Sequence, residues 1–176
     1  IKSISTIPDY ADECYQAAGW LKAFLDSFGM DAIIYESEGH PIVFSDYQTS
    51  RPEAKTILFY GHYDVQPVDP VSLWDSDPFD PVLSSIDNEP CIIARGASDD
   101  KGQLLTFLIA LKYIKNEVGE LPFSLKIILE GEEECGSKTL PIFLEDYKDK
   151  LSADIAYVCD TGMWDKDTPA ITRSLR

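Results

Sequence analysis

Four short segments hold the side chains best suited to chemistry. They are Gly61-His62-Tyr63-Asp64, Arg95-Gly96-Ala97-Ser98-Asp99-Asp100-Lys101-Gly102, Glu130-Gly131-Glu132-Glu133-Glu134-Cys135-Gly136-Ser137 and Asp160-Thr161-Gly162. Together they offer a histidine and a concentration of carboxylates. Gathered in one place, so many acids repel one another unless cations sit among them. A histidine with Asp and Glu donors suits zinc, manganese or cobalt.

His62 and Asp64 are two residues apart, so an extended chain puts both on one side. One ring nitrogen of His62 is then a metal donor, and Asp64 can accept a hydrogen bond from the other and fix the tautomer. His40, the other histidine, lies in a turn before Pro41 and is expected to be structural. Asp99 and Asp100 open a helix. Capping accounts for one of these acids but not for two beside Lys101. Gly96 and Gly102 allow close backbone approach there. The order is not that of a phosphate loop, because Lys101 precedes Gly102 and no G-K-[ST] follows. In Glu132-Glu133-Glu134, neighbouring carboxylates can divide labour, one binding metal and the next moving a proton. The acids of Trp74–Asp80 and Asp165–Asp167 lack calcium-loop spacing and read as loop charge.

The elements that must position these groups follow from periodicity. Apolar residues at steps of three and four (Cys14, Ala17, Ala18, Leu21, Phe24, Leu25, Phe28) predict a helix over Pro8–Phe28, with Gly29 as its C-terminal cap. Short strands are expected at Ala32–Tyr35 and Ile42–Phe44, with Glu38–Pro41 as the turn between them. Thr56–Tyr60 is a continuous apolar run that suits a strand buried on both faces. Gln66–Pro81 is a Pro- and Asp-rich loop, and Cys91–Ala94 a further strand. Leu104–Ile114, apolar on most faces, predicts a buried helix. A strand at Phe123–Leu129, a helix at Leu140–Leu151 and strands at Ile155–Cys159 and Ala170–Thr172 complete the pattern. Strands alternating with helices predict an α/β fold with a mostly parallel sheet and a short antiparallel edge. Ligands bind such sheets beyond the carboxyl ends of the strands, where the four segments lie.

The 176 residues fit one domain. Asp and Glu total 31 against 15 Lys and Arg, a net charge of −16. That balance opposes phosphate binding, so nucleic acid is excluded as a general partner, as is a polybasic membrane contact. The longest apolar run, Leu104–Leu111, is broken by Thr106 and falls far short of the roughly 20 residues of a membrane span. Cys14, Cys91, Cys135 and Cys159 form no C-x-x-C pair, which predicts reduced thiols and a cytoplasmic setting. The chain starts at Ile1 without an initiator Met, and both ends are expected to be cut.

On these residues the chain resembles the co-catalytic zinc exopeptidase and deacylase family. That family includes carnosinases, aminoacylase-1, glutamate carboxypeptidase, acetylornithine deacetylase and succinyl-diaminopimelate desuccinylase. The matching motifs are Gly61-His62-Tyr63-Asp64-Val65-Gln66-Pro67, Arg95–Gly102, Glu132-Glu133-Glu134-Cys135-Gly136-Ser137 and Asp160. Trp74–Phe79 and Pro169–Thr172 match as well, so the likeness covers nearly the whole chain. The H-x-D-V-Q-P and D-D-K-G forms look most like the dipeptidase branch.

The resemblance implies a three-layer α/β fold and two divalent ions, zinc first, with cobalt and manganese as substitutes. His62 and Asp160 are implied as ligands of one ion, Asp99 as the bridge and Glu134 as ligand of the second. Glu133 is implied as general acid/base, Asp64 as the support of His62, and Asp99–Asp100 as a cis peptide. The family also has a second catalytic histidine far downstream and an inserted lid or dimerisation domain. Neither lies in these residues. Residues 1–176 are therefore expected to be the N-terminal part of a catalytic domain, incomplete at the C-terminus, from a protein that dimerises through the lid. The implied activity is hydrolysis of an amide bond in a small peptide, with N-acyl-amino-acid deacylation as the alternative. Non-catalytic metal binding is the alternative from another class, and is expected of the isolated segment.

Overall fold

The computed structural model describes residues 1–36 and 38–171. In chain order the elements are α1 (Ala11–Asp26), β1 (Ile33–Tyr35), β2 (Ile42–Tyr47), β3 (Thr56–His62), β4 (Val82–Ile86), β5 (Glu89–Ile93), α2 (Lys101–Val118), β6 (Ser124–Glu130), α3 (Leu140–Tyr147) and β7 (Ile155–Val158). The main sheet has the order β1-β2-β6-β3-β7. The β6–β3 and β3–β7 pairings are parallel, and the β1–β2 and β2–β6 pairings antiparallel. Four of the five strands thus point the same way, and β2 alone runs against them. The expected mostly parallel sheet is present, with β2 joining its antiparallel edge directly to the centre.

Alternation along β6 builds the two cores. Leu125, Ile127 and Leu129 face α1 and α2, and Ile128 faces α3. The first core takes Cys14, Ala17, Ala18, Leu21 and Leu25 from α1 and Leu104, Leu108 and Leu111 from α2. The second packs Ile42, Phe44 and Ile128 around Phe143 of α3. The result is three layers, helix on sheet on helix. Lys126, buried on the α3 side, reaches Asp46 at 3.3 Å and the carbonyl of Lys150, which satisfies its charge.

Several expectations need correction. Cys91–Ala94 does not join the main sheet. It lies within and just after β5, which pairs only with β4 through the two-residue turn Asp87-Asn88, both at positive φ (52° and 67°). That turn suits a tight hairpin, which pairs β5 with the adjacent β4. The expected helix at Leu104–Ile114 is longer, and it buries one face only, because Ile109 and Tyr113 are exposed. The fully buried strand is β6. On β3 most side chains are half-buried and Phe59 is fully enclosed. The helix expected to reach Leu151 gives way to a 3-10 turn at Lys148–Lys150. Ala170 and Ile171 form no strand, and Thr172 lies outside the described residues. Among the described residues, no helix is long and apolar enough to cross a membrane.

The one-sidedness of α2 gives a direct test. Leu108→Ala is expected to cost about 2–5 kcal/mol in urea unfolding. Ile109→Ala, one residue on, is expected to stay within about 0.5 kcal/mol. Equal losses at the two positions would contradict the placement of α2.

Candidate metal centre

Three parallel strands end at one rim, and each delivers part of the site. Strand β3 ends on His62, β6 leads into Glu132–Glu134, and β7 leads to Asp160. The fourth contribution comes from the loop between the β4–β5 hairpin and α2. Here Gly102 is required, since a Cβ would sit 1.9 Å from the Ala97 carbonyl oxygen. That tight crossing carries Asp99 to the rim, and the Asp99–Asp100 peptide is cis.

His62 is completely buried, and its Nε2 has no hydrogen-bond partner. Around that nitrogen stand Asp99 Oδ1 at 3.1 Å, Asp160 Oδ2 at 3.6 Å and Glu133 Oε2 at 4.0 Å. One donor atom each from His62, Asp99 and Asp160 lies within 4.8 Å of the others. A buried ring nitrogen with carboxylate oxygens before it, and no hydrogen bond to any of them, is the donor arrangement of a metal ligand. The residues therefore fit a divalent ion.

Asp64 lies behind the ring. Its Oδ1 is 3.3 Å from His62 Nδ1, so the inner nitrogen carries the proton and Nε2 is left as donor. The same carboxylate accepts the backbone N–H of Glu133 at 3.2 Å and of Glu134 at 3.1 Å. The three glutamates have separate surroundings. Glu132 accepts the backbone N–H groups of His40 and Thr139 and is structural. Glu133 turns toward His62. Glu134 lies outside the three-residue cluster, its carboxylate held by Gln66 Nε2 at 2.7 Å. His40 bonds the Ser5 carbonyl through Nε2, as a structural histidine does.

Sequence reasoning left Asp100 and Glu130 without roles. Asp100 makes no cap with its side chain. It is buried and accepts the backbone N–H of His62 at 3.1 Å. Glu130 accepts the hydroxyls of Tyr60 and Ser137, tying the start of the acidic turn to its end. The signal for Asp100 was present, since a cap could not account for both acids. For Glu130 the pairing with His62 across β3 and β6 was not visible in the sequence.

The electrostatics follow the geometry. Burial is the largest influence on His62 and opposes its charge. The hydrogen bond to Asp64 and the charges of Asp64, Asp100 and Asp160 together outweigh it, and the ring is pushed up to about 9. Burial drives Asp100 up to about 7. Glu133 is raised by burial and then by Glu134, Asp160 and Asp64, with His62 opposing.

Fold and site together define an α/β protein with a histidine–carboxylate cluster whose donors fit a divalent ion. Comparison with known proteins narrows the class. The family model for peptidase family M20/M25/M40 matches residues 58–172, and the chain belongs to that family. It is 36% identical over 138 residues to human Beta-Ala-His dipeptidase, covering 77% of this chain and 26% of that protein. It is 30% identical over 172 residues to the Cysteinylglycine-S-conjugate dipeptidase of Corynebacterium striatum, covering 97% and 37%. Among solved structures, an M20 family metallo-carboxypeptidase from Sulfolobus solfataricus superposes with a TM-score of 0.78 at 39% identity, covering 92% of this chain and 35% of that one. The chain therefore spans between a quarter and two-fifths of these relatives' lengths.

An ion bound through His62 would have to compete with a proton on the ring, because a metal needs the neutral imidazole. With the metal-free ring titrating near 9, each pH unit below that value is expected to weaken binding about tenfold. Zinc titrated into the metal-free protein at pH 6 and pH 8 is expected to differ about 100-fold in affinity, tighter at pH 8 and with proton release. An affinity unchanged between these values would contradict the protonated ring.

Proposed function

We propose that residues 1–176 form the N-terminal part of the catalytic domain of a metal-dependent peptidase acting on dipeptide-sized substrates. The observation that carries this reading is the buried, unbonded Nε2 of His62 facing Asp99, Asp160 and Glu133. Dipeptidases among the relatives support the substrate class. The remainder of the catalytic domain and a lid or dimerisation domain are assigned to the rest of the full-length protein, which acts as a homodimer. The free cysteines support a cytoplasmic setting.

His62, Asp99 and Asp160 would hold one ion, and Asp99 and Glu134 would contribute donors to a second. Zinc suits these donors, and cobalt and manganese accept the same set. When bound, such ions polarise a carbonyl oxygen and lower the pKa of water toward about 7. Glu133 is the general acid/base. It takes a proton from the attacking water as the new C–O bond forms, then delivers that proton to the amine nitrogen as the C–N bond breaks. Its raised proton affinity suits a group that must hold a proton between those steps. Asp64 fixes both the His62 ring and the backbone on which Glu133 sits, so donor and base keep their relative positions.

In the full-length protein, Glu133→Gln is expected to lower turnover of a dipeptide about 100- to 10,000-fold with metal content unchanged. Near-normal turnover by the metal-loaded variant would overturn the role of Glu133. Paired assays of dipeptides and N-acetyl or N-succinyl amino acids test the substrate class, and preference for the acylated amino acids would favour a deacylase instead.

A further inference from the structure

The chain keeps its strand-like alternation past the end of β3. Tyr63 and Val65 are buried, Tyr63 within the first core. There the N–H of Val65 donates to the Ser3 carbonyl at 2.9 Å, and Ser3 Oγ donates to the Tyr63 carbonyl at 2.7 Å. Val65 also pairs with Ile4 in a parallel bridge, so residues 63–65 are held straight by the N-terminal segment. Extended backbone turns alternate side chains to opposite sides, so His62, Asp64 and Gln66 share the side that faces the acidic turn. His62 is a donor to the ion and Asp64 holds the turn's backbone. Gln66 is exposed, yet its Nε2 lies 2.7 Å from Glu134 Oε2 and 3.3 Å from the Glu134 carbonyl oxygen. An amide nitrogen carries two hydrogens and can donate to both.

We propose that Gln66 is a positioning residue whose amide orients the Glu134 carboxylate as a metal ligand and thereby sets the affinity of the ion that Glu134 holds. The inference rests on the assignment of Glu134 as a ligand under the function proposed above. The chemistry favours glutamine at this place. A lysine would neutralise the carboxylate and repel a cation nearby. A neutral amide restrains one carboxylate oxygen and leaves the negative charge to the ion. Partners of this kind around a ligand are worth about 10- to 100-fold in metal affinity.

The test uses the full-length protein with Gln66→Ala and Glu134→Ala in parallel. Zinc affinity is measured by chelator competition, and melting temperature checks the fold. Gln66→Ala is expected to weaken the second zinc about 10- to 100-fold, leave the first unchanged and leave the metal-free melting temperature near wild type. Glu134→Ala is expected to abolish the second zinc. If Glu134→Ala loses the second zinc and Gln66→Ala binds both as wild type does, the role of Gln66 is overturned and the ligand assignment stands. If Glu134→Ala binds both normally, the ligand assignment is overturned and the inference falls with it.

Discussion

The site depends on one buried carboxylate. Asp64 has no exposed surface; its carboxylate accepts the backbone N–H groups of Glu133 and Glu134 and lies 3.3 Å from His62 Nδ1, which also bonds the Asp64 backbone carbonyl at 3.2 Å. A lone buried carboxylate is costly, and hydrogen bonds to its charged form offset that cost. The same bonds join β3 to the turn after β6, the two segments that carry His62 and Glu133. A substitution here would therefore loosen two functional groups at once.

The sheet makes that meeting possible. Strands β3 and β6 run parallel in register, with His62 opposite Glu130, so the residues that follow each strand emerge side by side. Asp160 arrives the same way from β7. The Asp99 loop takes another route, through the close crossing of Ala97 and Gly102. Four segments remote in sequence thus converge through two devices, parallel strand ends and one glycine-dependent loop. The repulsion among the gathered acids is what a bound cation relieves.

Much of this was legible in the sequence because its causes are local. The period of α1, the apolar run of β6 and the polar residues beyond each strand end could all be read before any pairing was known. His62, Asp99 and Asp160, which the family resemblance marks as ligands, converge in one cluster. What could not be read depends on choice of partner. Cys91–Ala94 has the composition of a strand in the main sheet, but pairing with the adjacent β4 wins. The exposed face of α2 was hidden because Ile109 and Tyr113 are apolar yet unburied. The separate duties of Glu132, Glu133 and Glu134 depend on hydrogen bonds to residues as far away as His40 and Gln66, which a run of identical side chains does not reveal.

The central claim is that His62, Asp99 and Asp160 together hold a divalent ion. The most direct measurement is anomalous diffraction at the zinc edge from crystals of the zinc-loaded full-length protein. The predicted result is a peak within bonding distance of His62 Nε2 and of carboxylate oxygens of Asp99 and Asp160. Bound zinc with no peak at His62 Nε2 would contradict the account.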